Sequence, residues 1–408
     1  MITIQYLEDS PELVHLGKDQ VIAKLRLSTE RLPFSHLLIG WHIPPVLLEA
    51  CQQETQASGI RFLRWHPLLT GDGIFTPRPE WQVVGLTGRK VSGFRGMPEF
   101  TFVCPNHPKV QDAIYQRIRD LLKENQYQGF FLDRIRFPSP AADPLNDLGC
   151  FCEHCHRKAG TLGIDLEQVR NALLQMMDDE HGIKMLVQVL LGGKRTLRGY
   201  NKAELLAAFL DFRFQSIIDF ITPLSRLLRD GGMEIGLDCF SPSLTPMVGQ
   251  DMEKLSKLAD WVKIMSYAHT LGPAGIPFEL LGFCDFLTHH TNLKELEALD
   301  FIKEAISLPL PATRKELESK GLSSQALSIE VSRGVESGLV PILAGIELVE
   351  IAGVANLMDA QLEEDLAALK AAKVGGLAIS WDLWHIPVER LSLVKRIYLE
   401  NENFHEGE

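Results

Sequence analysis

Short apolar strand-like runs alternate with helix-like runs along most of this chain, and that alternation restricts its fold more than any single motif does. His36–Ile43 and Ile60–His66 read as strands, with a helix over Val46–Thr55 between them. Trp81–Leu86 and Phe100–Cys104 are both strand-like around a Gly-rich loop, and together they count as one unit. Pro105-Asn106-His107-Pro108 is a helix start. Val110, Ile114, Ile118, Leu121 and Leu122 then keep one helical face apolar. Further strands follow at Gly129–Phe137, Met233–Phe240, Trp261–Tyr267, Leu339–Glu347 and Leu377–Trp381. Near-continuous apolar strands separated by helices mean a parallel sheet covered on both faces. Eight such units predict an α/β (β/α)8 TIM barrel, and no Gly-rich dinucleotide turn follows the first strand. We expect one domain over residues 1–408 with long helical insertions after strands 4 and 6. The first insertion, 139–232, carries a cysteine cluster.

Composition narrows the partners. A net charge of −12 argues against a broad nucleic-acid surface and fits neutral or cationic small molecules better. No apolar run reaches membrane-spanning length, and the first ten residues lack the basic and apolar regions of a secretory leader. Seven cysteines, three of them within six positions, do not form a secreted disulfide framework; reduced thiols or a metal site fit better. The expected compartment is the cytoplasm, with no membrane partner and no organic cofactor.

The stretch Gly129-Phe130-Phe131-Leu132-Asp133-Arg134-Ile135-Arg136-Phe137-Pro138 is an apolar strand ending in a carboxylate flanked by arginines. A buried strand-end aspartate is expensive to desolvate without a partner or a task. The other strand ends are also polar or aromatic: Trp41 with His42, Trp65 with His66, Asp238, Tyr267 with His269, Glu347 with Glu350, and Trp381, Asp382, Trp384 and His385. Barrel active sites are built at this end of the strands. Four of the six tryptophans fall there, and flat indole faces over a polar cleft suit sugar C–H faces. Duller readings stay open. Trp41 and Trp65 can plug the mouth, the histidines can be framework residues, Glu347 can pair with an arginine, and Asp133 can pair with Arg134 or Arg136.

Glycoside hydrolysis needs two carboxyls across the scissile bond. Asp133 and Asp238 end neighbouring strands and are the leading pair, with Glu347 as the second candidate for the acid. Trp41, Trp65, His66, Arg136, Tyr267, Trp381, Asp382 and Trp384 are the candidate substrate contacts. The order of Pro-Asn-His-Pro, a helix and the Gly129–Pro138 stretch resembles glycoside-hydrolase-like TIM barrels, distant relatives of the α-amylase and α-galactosidase barrels. Asp260-Trp261-Val262-Lys263-Ile264-Met265-Ser266-Tyr267 and Ile379-Ser380-Trp381-Asp382-Leu383-Trp384-His385-Ile386-Pro387 are similar to their sixth and eighth strands. The resemblance runs from about residue 36 to 395 and implies an oligo- or polysaccharide hydrolase with Asp133 as nucleophile. It extends to chitinase-like barrels, but the acid glutamate of their fourth-strand run is missing, since Ile135 stands there. A barrel that binds carbohydrate without cleaving it is therefore an alternative.

Cys150-Phe151-Cys152-Glu153-His154-Cys155-His156 offers three thiols for a tetrahedral zinc. His181, 25 intervening residues beyond Cys155, completes a spacing similar to the zinc site of tRNA-guanine transglycosylases, which adds a base-handling transglycosylase as a second alternative. Cys104 and His156 are other candidates for the fourth ligand, and buried thiols or a labile disulfide are the metal-free reading. A fully ligated zinc would be structural.

Overall fold

Eight parallel strands close into a barrel in which each pairs with the next in sequence and the last with the first. They are β1 (Ile2–Tyr6), β2 (His36–Ile39), β3 (Arg61–Pro67), β4 (Gly129–Asp133), β5 (Glu234–Phe240), β6 (Trp261–Met265), β7 (Ile342–Glu347) and β8 (Gly376–Ser380). The computed structural model describes residues 1–8, 13, 15–71, 78–91, 93, 100–197, 202–355 and 357–400. The (β/α)8 expectation holds, with one correction in the count. The first strand is Ile2–Tyr6, and the described residues of the 81–104 region contribute isolated antiparallel bridges outside the barrel. The missed strand and the extra one offset each other, so Asp133 still ends the fourth.

Alternation along each strand sorts the side chains. Leu38, Leu63, Trp65, Phe131, Trp261, Leu343 and Ala378 fill the barrel with Trp41, while their strand neighbours Leu37, Phe62, Phe130, Leu132 and Val262 pack under the helices. The far end of the barrel is closed by polar contacts. Glu234 accepts from the Trp261 indole at 2.8 Å and pairs with His36 at 3.0 Å.

Two long excursions leave the C-terminal mouth. After β4 come the helices Pro144–Asp147, Glu153–Thr161, Leu166–Met176, Glu180–Gly192 and Ala203–Asp230. The last packs on the barrel beside the helix Pro108–Glu124, where Tyr115 donates to the Phe220 carbonyl at 2.8 Å. The Pro108–Glu124 helix is built as its sequence predicts. His107 accepts the Lys109 N–H, Pro108 opens the first turn, and Val110, Ile114, Ile118 and Leu121 are buried. After β6 come Ile276–His290, Glu295–Ile306, Arg314–Lys320 and Ser324–Ser337.

At the mouth, the chain after β2 passes directly beneath the end of β1. A Cβ on Gly40 would lie 1.8 Å from the Leu7 carbonyl oxygen, a backbone atom that cannot step aside cheaply. Gly40→Ala is therefore expected to destabilise the barrel by about 3 kcal/mol or more in urea unfolding.

Candidate active site

The inward parity of β4 and β5 sends Asp133 and Asp238 into the barrel mouth. Phe131 pairs with Gly236 and Leu132 with Leu237, so the two aspartates follow in step on adjacent strands. Asp133 is buried and held by two donors: the Trp65 indole at 3.1 Å on Oδ2 and the Arg134 amide at 2.5 Å on Oδ1. Arg134 takes a left-handed backbone (φ 53°), which turns the chain sharply off the strand. Its guanidinium donates to Thr70 at 3.0 Å and lies over the Phe100 ring.

Asp238 differs from Asp133. One oxygen accepts from Lys263 Nζ at 3.0 Å, and the other is buried without a partner. Burial, with the Asp133 charge adding to it and Lys263 and Arg136 opposing, pushes its carboxyl up to about 7. Lys263 is wholly buried and also donates to Gln5 Oε1 at 3.0 Å, which in turn accepts from the Ser380 hydroxyl at 2.5 Å. Burial alone would lower the lysine, but Asp238 and Tyr267 outweigh it and hold the ammonium charged. Tyr267 closes this layer, its ring centroid 5.2 Å from Nζ. Arg136 is clasped between the Phe102 and Phe240 rings at 4.6 and 4.4 Å, and its buried Nε has no partner.

Sequence reasoning missed Glu8, Gln5 and Lys263. Glu8 follows β1 and is half-buried, and desolvation pushes it up to about 7 in the field of Arg134, Asp382, Asp133 and Lys263. Its signal was an alternating Ile2–Tyr6 run ending in a carboxylate. For Lys263 the signal was a charge at an inward position of an otherwise apolar strand.

Other anticipated contacts lie elsewhere. Asp382 is committed to the backbone, accepting from Leu7, Glu8 and Trp384 amides at 2.9–3.0 Å, so it fixes the segment that carries Glu8. His66 alternates outward with Leu132, not into the mouth. It accepts from Arg64 at 3.1 Å, and burial holds its imidazole well below the usual range. Glu347 turns aside, accepting the His269 amide at 2.6 Å, and its electrostatic neighbours are His269 and Asp365; burial raises it to about 7. Trp41 and Trp65 meet edge-to-face at 5.1 Å inside the barrel and are buried, which is the plug geometry. Trp381 and Trp384 are half-buried, with Trp381 edge-on to Tyr267.

A cavity of about 730 Å³ opens beside this cluster, lined by Phe100, Phe102, Arg136, Ser139, Asp147 and Glu279 among others. That is ligand-sized. Arg136 lines it and has Glu279, Asp133 and Asp238 as electrostatic neighbours. Glu279 was not anticipated. It is buried, accepts from the Ser139 hydroxyl at 2.5 Å and the Ala274 amide at 2.9 Å, and is raised by burial.

Away from the mouth, Cys104, Cys150, Cys152 and Cys155 bring four sulfurs within 4.8 Å of one another, a group able to hold a metal ion. The fourth member is Cys104. His181, on the exposed first turn of the Glu180–Gly192 helix, is not part of the group. Among the described residues, no helix is long and apolar enough to cross a membrane.

The structural neighbours of this chain are glycoside-hydrolase TIM barrels. It is similar to the PgaB (BpsB) glycoside hydrolase domain from Bordetella bronchiseptica, with 14% identity, 98% of this chain and 99% of that one covered, and a TM-score of 0.57. It is also similar to the catalytic domain of a β-amylase from Paenibacillus polymyxa, with 10% identity, 97% of each chain covered and a TM-score of 0.50. For α-L-fucosidase isoenzyme 2 from Paenibacillus thiaminolyticus the identity is 11%, the coverage 97% of this chain and 48% of that one, and the TM-score 0.51. At these identities the likeness establishes the barrel. No protein-family model and no curated protein sequence matches the chain.

Proposed function

We propose that this barrel is a glycoside hydrolase acting on an oligo- or polysaccharide, with Asp133 as nucleophile or base and Asp238 as proton donor. The observation that carries the reading is the pairing itself. Two buried carboxylates stand in step at the C-terminal ends of adjacent strands, one clamped by two donors, the other with a bare oxygen and an acidity shifted to about 7. A proton donor near the working pH and an oriented nucleophile are the two parts glycoside cleavage requires. Adjacent strands stand about 4.8 Å apart, which favours the roughly 5–5.5 Å carboxyl spacing of a retaining pair over the wider inverting one. The bare Arg136 Nε offers a donor for a substrate oxygen, and Trp381 and Trp384 offer apolar faces for a sugar ring.

In the ground state, protonated Asp238 faces the glycosidic oxygen and Asp133 the anomeric carbon. Proton transfer to the leaving oxygen accompanies attack by Asp133, and water then completes the hydrolysis with Asp238 acting as base. The acid must carry its proton, so kcat/KM should fall as pH rises through about 7, and Asp238→Asn should remove that limb. The same shift affects folding. The native state prefers Asp238 protonated, so this contribution to stability is full below the ordinary aspartate range and is lost as pH rises through about 7. Urea midpoints across this window, for wild type and Asp238→Asn, read it directly.

A second assignment of the acid rests on Glu8, which is more exposed than Asp238 and equally raised. The substituted acid is the one whose loss slows unactivated linkages by about 10²–10⁴ while sparing aryl glycosides with good leaving groups. Comparing Asp238→Asn with Glu8→Gln on both substrate types decides it. A wild type that binds oligosaccharides in calorimetry yet leaves a broad panel uncut would overturn the hydrolase reading in favour of a carbohydrate-binding barrel. Affinity for tRNA would instead favour a base-handling transglycosylase.

A further inference from the structure

The four-thiol group has a geometry that buried cysteines do not need for packing. Ligands at about 2.3 Å from a tetrahedral zinc stand about 3.8 Å apart. Here Cys104 Sγ lies 3.4 Å from Cys155 Sγ and 3.5 Å from Cys152 Sγ, and no pair in the group exceeds 4.8 Å. The sulfurs also receive donors. The Val84 amide points at Cys150 Sγ at 3.3 Å, and the Asn106 amide at Cys155 Sγ at 3.3 Å, with Asn106 oriented by Ser216 at 2.9 Å. Cys152 stands at the N-cap position of the Glu153–Thr161 helix and Cys155 lies in its first turn, where the helix dipole favours negative charge.

A second observation is independent of the sulfurs' own contacts. Arg213 has no solvent exposure, and its Nη1 donates to the Met247 carbonyl at 2.8 Å, while Nε and Nη2 find no acceptor. No carboxylate lies within ion-pairing distance of it among the described residues. A buried guanidinium requires compensating negative charge. The Phe137 and Phe209 rings lie under its guanidinium at 4.9 and 5.5 Å, and negative charge on Cys150 and Cys155 would favour its charged form. Four neutral thiols cannot play that part, but a zinc tetrathiolate, with a net charge of about −2, can.

We propose that Cys104, Cys150, Cys152 and Cys155 bind one Zn²⁺ as a closed structural site, with Arg213 as its buried counter-charge. Binding displaces the thiol protons to solvent and forms four zinc–sulfur bonds, with no change of oxidation state. The site joins two segments already pressed together. A Cβ on Gly85 would meet the Asn146 carbonyl at 1.8 Å, one on Gly149 would meet Val83 at 2.5 Å, and the Phe151 amide donates to the Val84 carbonyl at 2.9 Å. Both segments feed the mouth cavity: Phe102 lines it from one, Asp147 from the other. The zinc thus fixes a wall of that cavity from outside the barrel and takes no part in bond cleavage. The proposal stands whether or not the barrel cleaves glycosides.

The test is elemental analysis of the full chain purified under reducing conditions without chelator. About one zinc per chain is expected. Cys104→Ser and Cys155→Ser should each fall to near background, while His181→Ala keeps the full amount. Exchange with Co²⁺ reads the site in wild type even if a serine variant fails to fold, because a tetrahedral cobalt thiolate has intense visible and charge-transfer bands. A zinc chelator should lower Tm. Metal-free wild type with these four thiols freely titratable, a disulfide among them by mass spectrometry, stoichiometric iron in place of zinc, or loss of zinc in His181→Ala would each overturn the assignment.

Discussion

Asp133→Asn is expected to lower turnover of a cleaved glycoside by on the order of 10³–10⁴ while oligosaccharide affinity stays within a few-fold of wild type. The carboxylate sits where its replacement is nearly isosteric. Asn can still accept from either the Arg134 amide or the Trp65 indole, the two donors now held at 2.5 and 3.1 Å. Its NH2 then faces the other donor, at a cost of about 1–2 kcal/mol, too little to unfold the barrel. A collapse in kcat with an intact melting transition and intact binding therefore belongs to chemistry and not to folding. Lost nucleophilicity should show one further sign: a small external anion such as azide restores turnover on an activated glycoside. An Asp133→Asn enzyme that turns over within a few-fold of wild type would remove Asp133 from the reaction and leave it as a clamp for Trp65 and Arg134.

Most of the barrel could be read from the chain because buried parallel strands are apolar on both faces and end in turn or polar residues. Ile2–Tyr6 was missed because Thr3 and Gln5 alternate with its apolar residues, so it lacks the near-continuous apolar run by which the others were read. The 81–104 region misled for a physical reason. Trp81, Val83, Leu86, Phe102 and Val103 are buried like strand residues, but they pack as a layer joined by isolated bridges, and apolar composition alone does not separate the two cases. That Asp133 and Asp238 end neighbouring strands was legible from strand-end position. The roles of Asp382 and His66 were not. Whether a strand-end carboxylate meets solvent or three backbone amides depends on how the β1 and β8 ends meet, and no local pattern encodes that. Cys104 stood among the candidates for the fourth member of its group beside His181 and His156, but the sequence could not choose between them, since its approach to the Cys150–Cys155 segment is made by tertiary packing.

Lys263→Met should destabilise the folded chain by about 3–5 kcal/mol at pH 8, the usual result of removing one partner of a buried ion pair. Met nearly fills the volume of the lysine stem between the Phe131 and Tyr267 rings, so little of the loss comes from a cavity. Gln5 keeps the Ser380 hydroxyl as a donor. The cost falls on Asp238, whose only hydrogen-bonded oxygen loses its donor while the other is already bare. The carboxylate can escape by taking a proton, so the defect should shrink as pH falls below about 7, where the native state already favours the neutral acid. Urea unfolding of wild type, Lys263→Met, Asp238→Asn and the double variant at pH 8 and pH 5 closes the cycle. The double variant should recover much of the single loss at pH 8, because no buried charge is then left unpaired. A loss under about 1 kcal/mol, equal at both pH values, would mean that Lys263 does not balance Asp238. If the cycle closes as expected, the ammonium also sets where the acid titrates: without it Asp238 should hold its proton to higher pH, and the alkaline limb of activity should move upward with it.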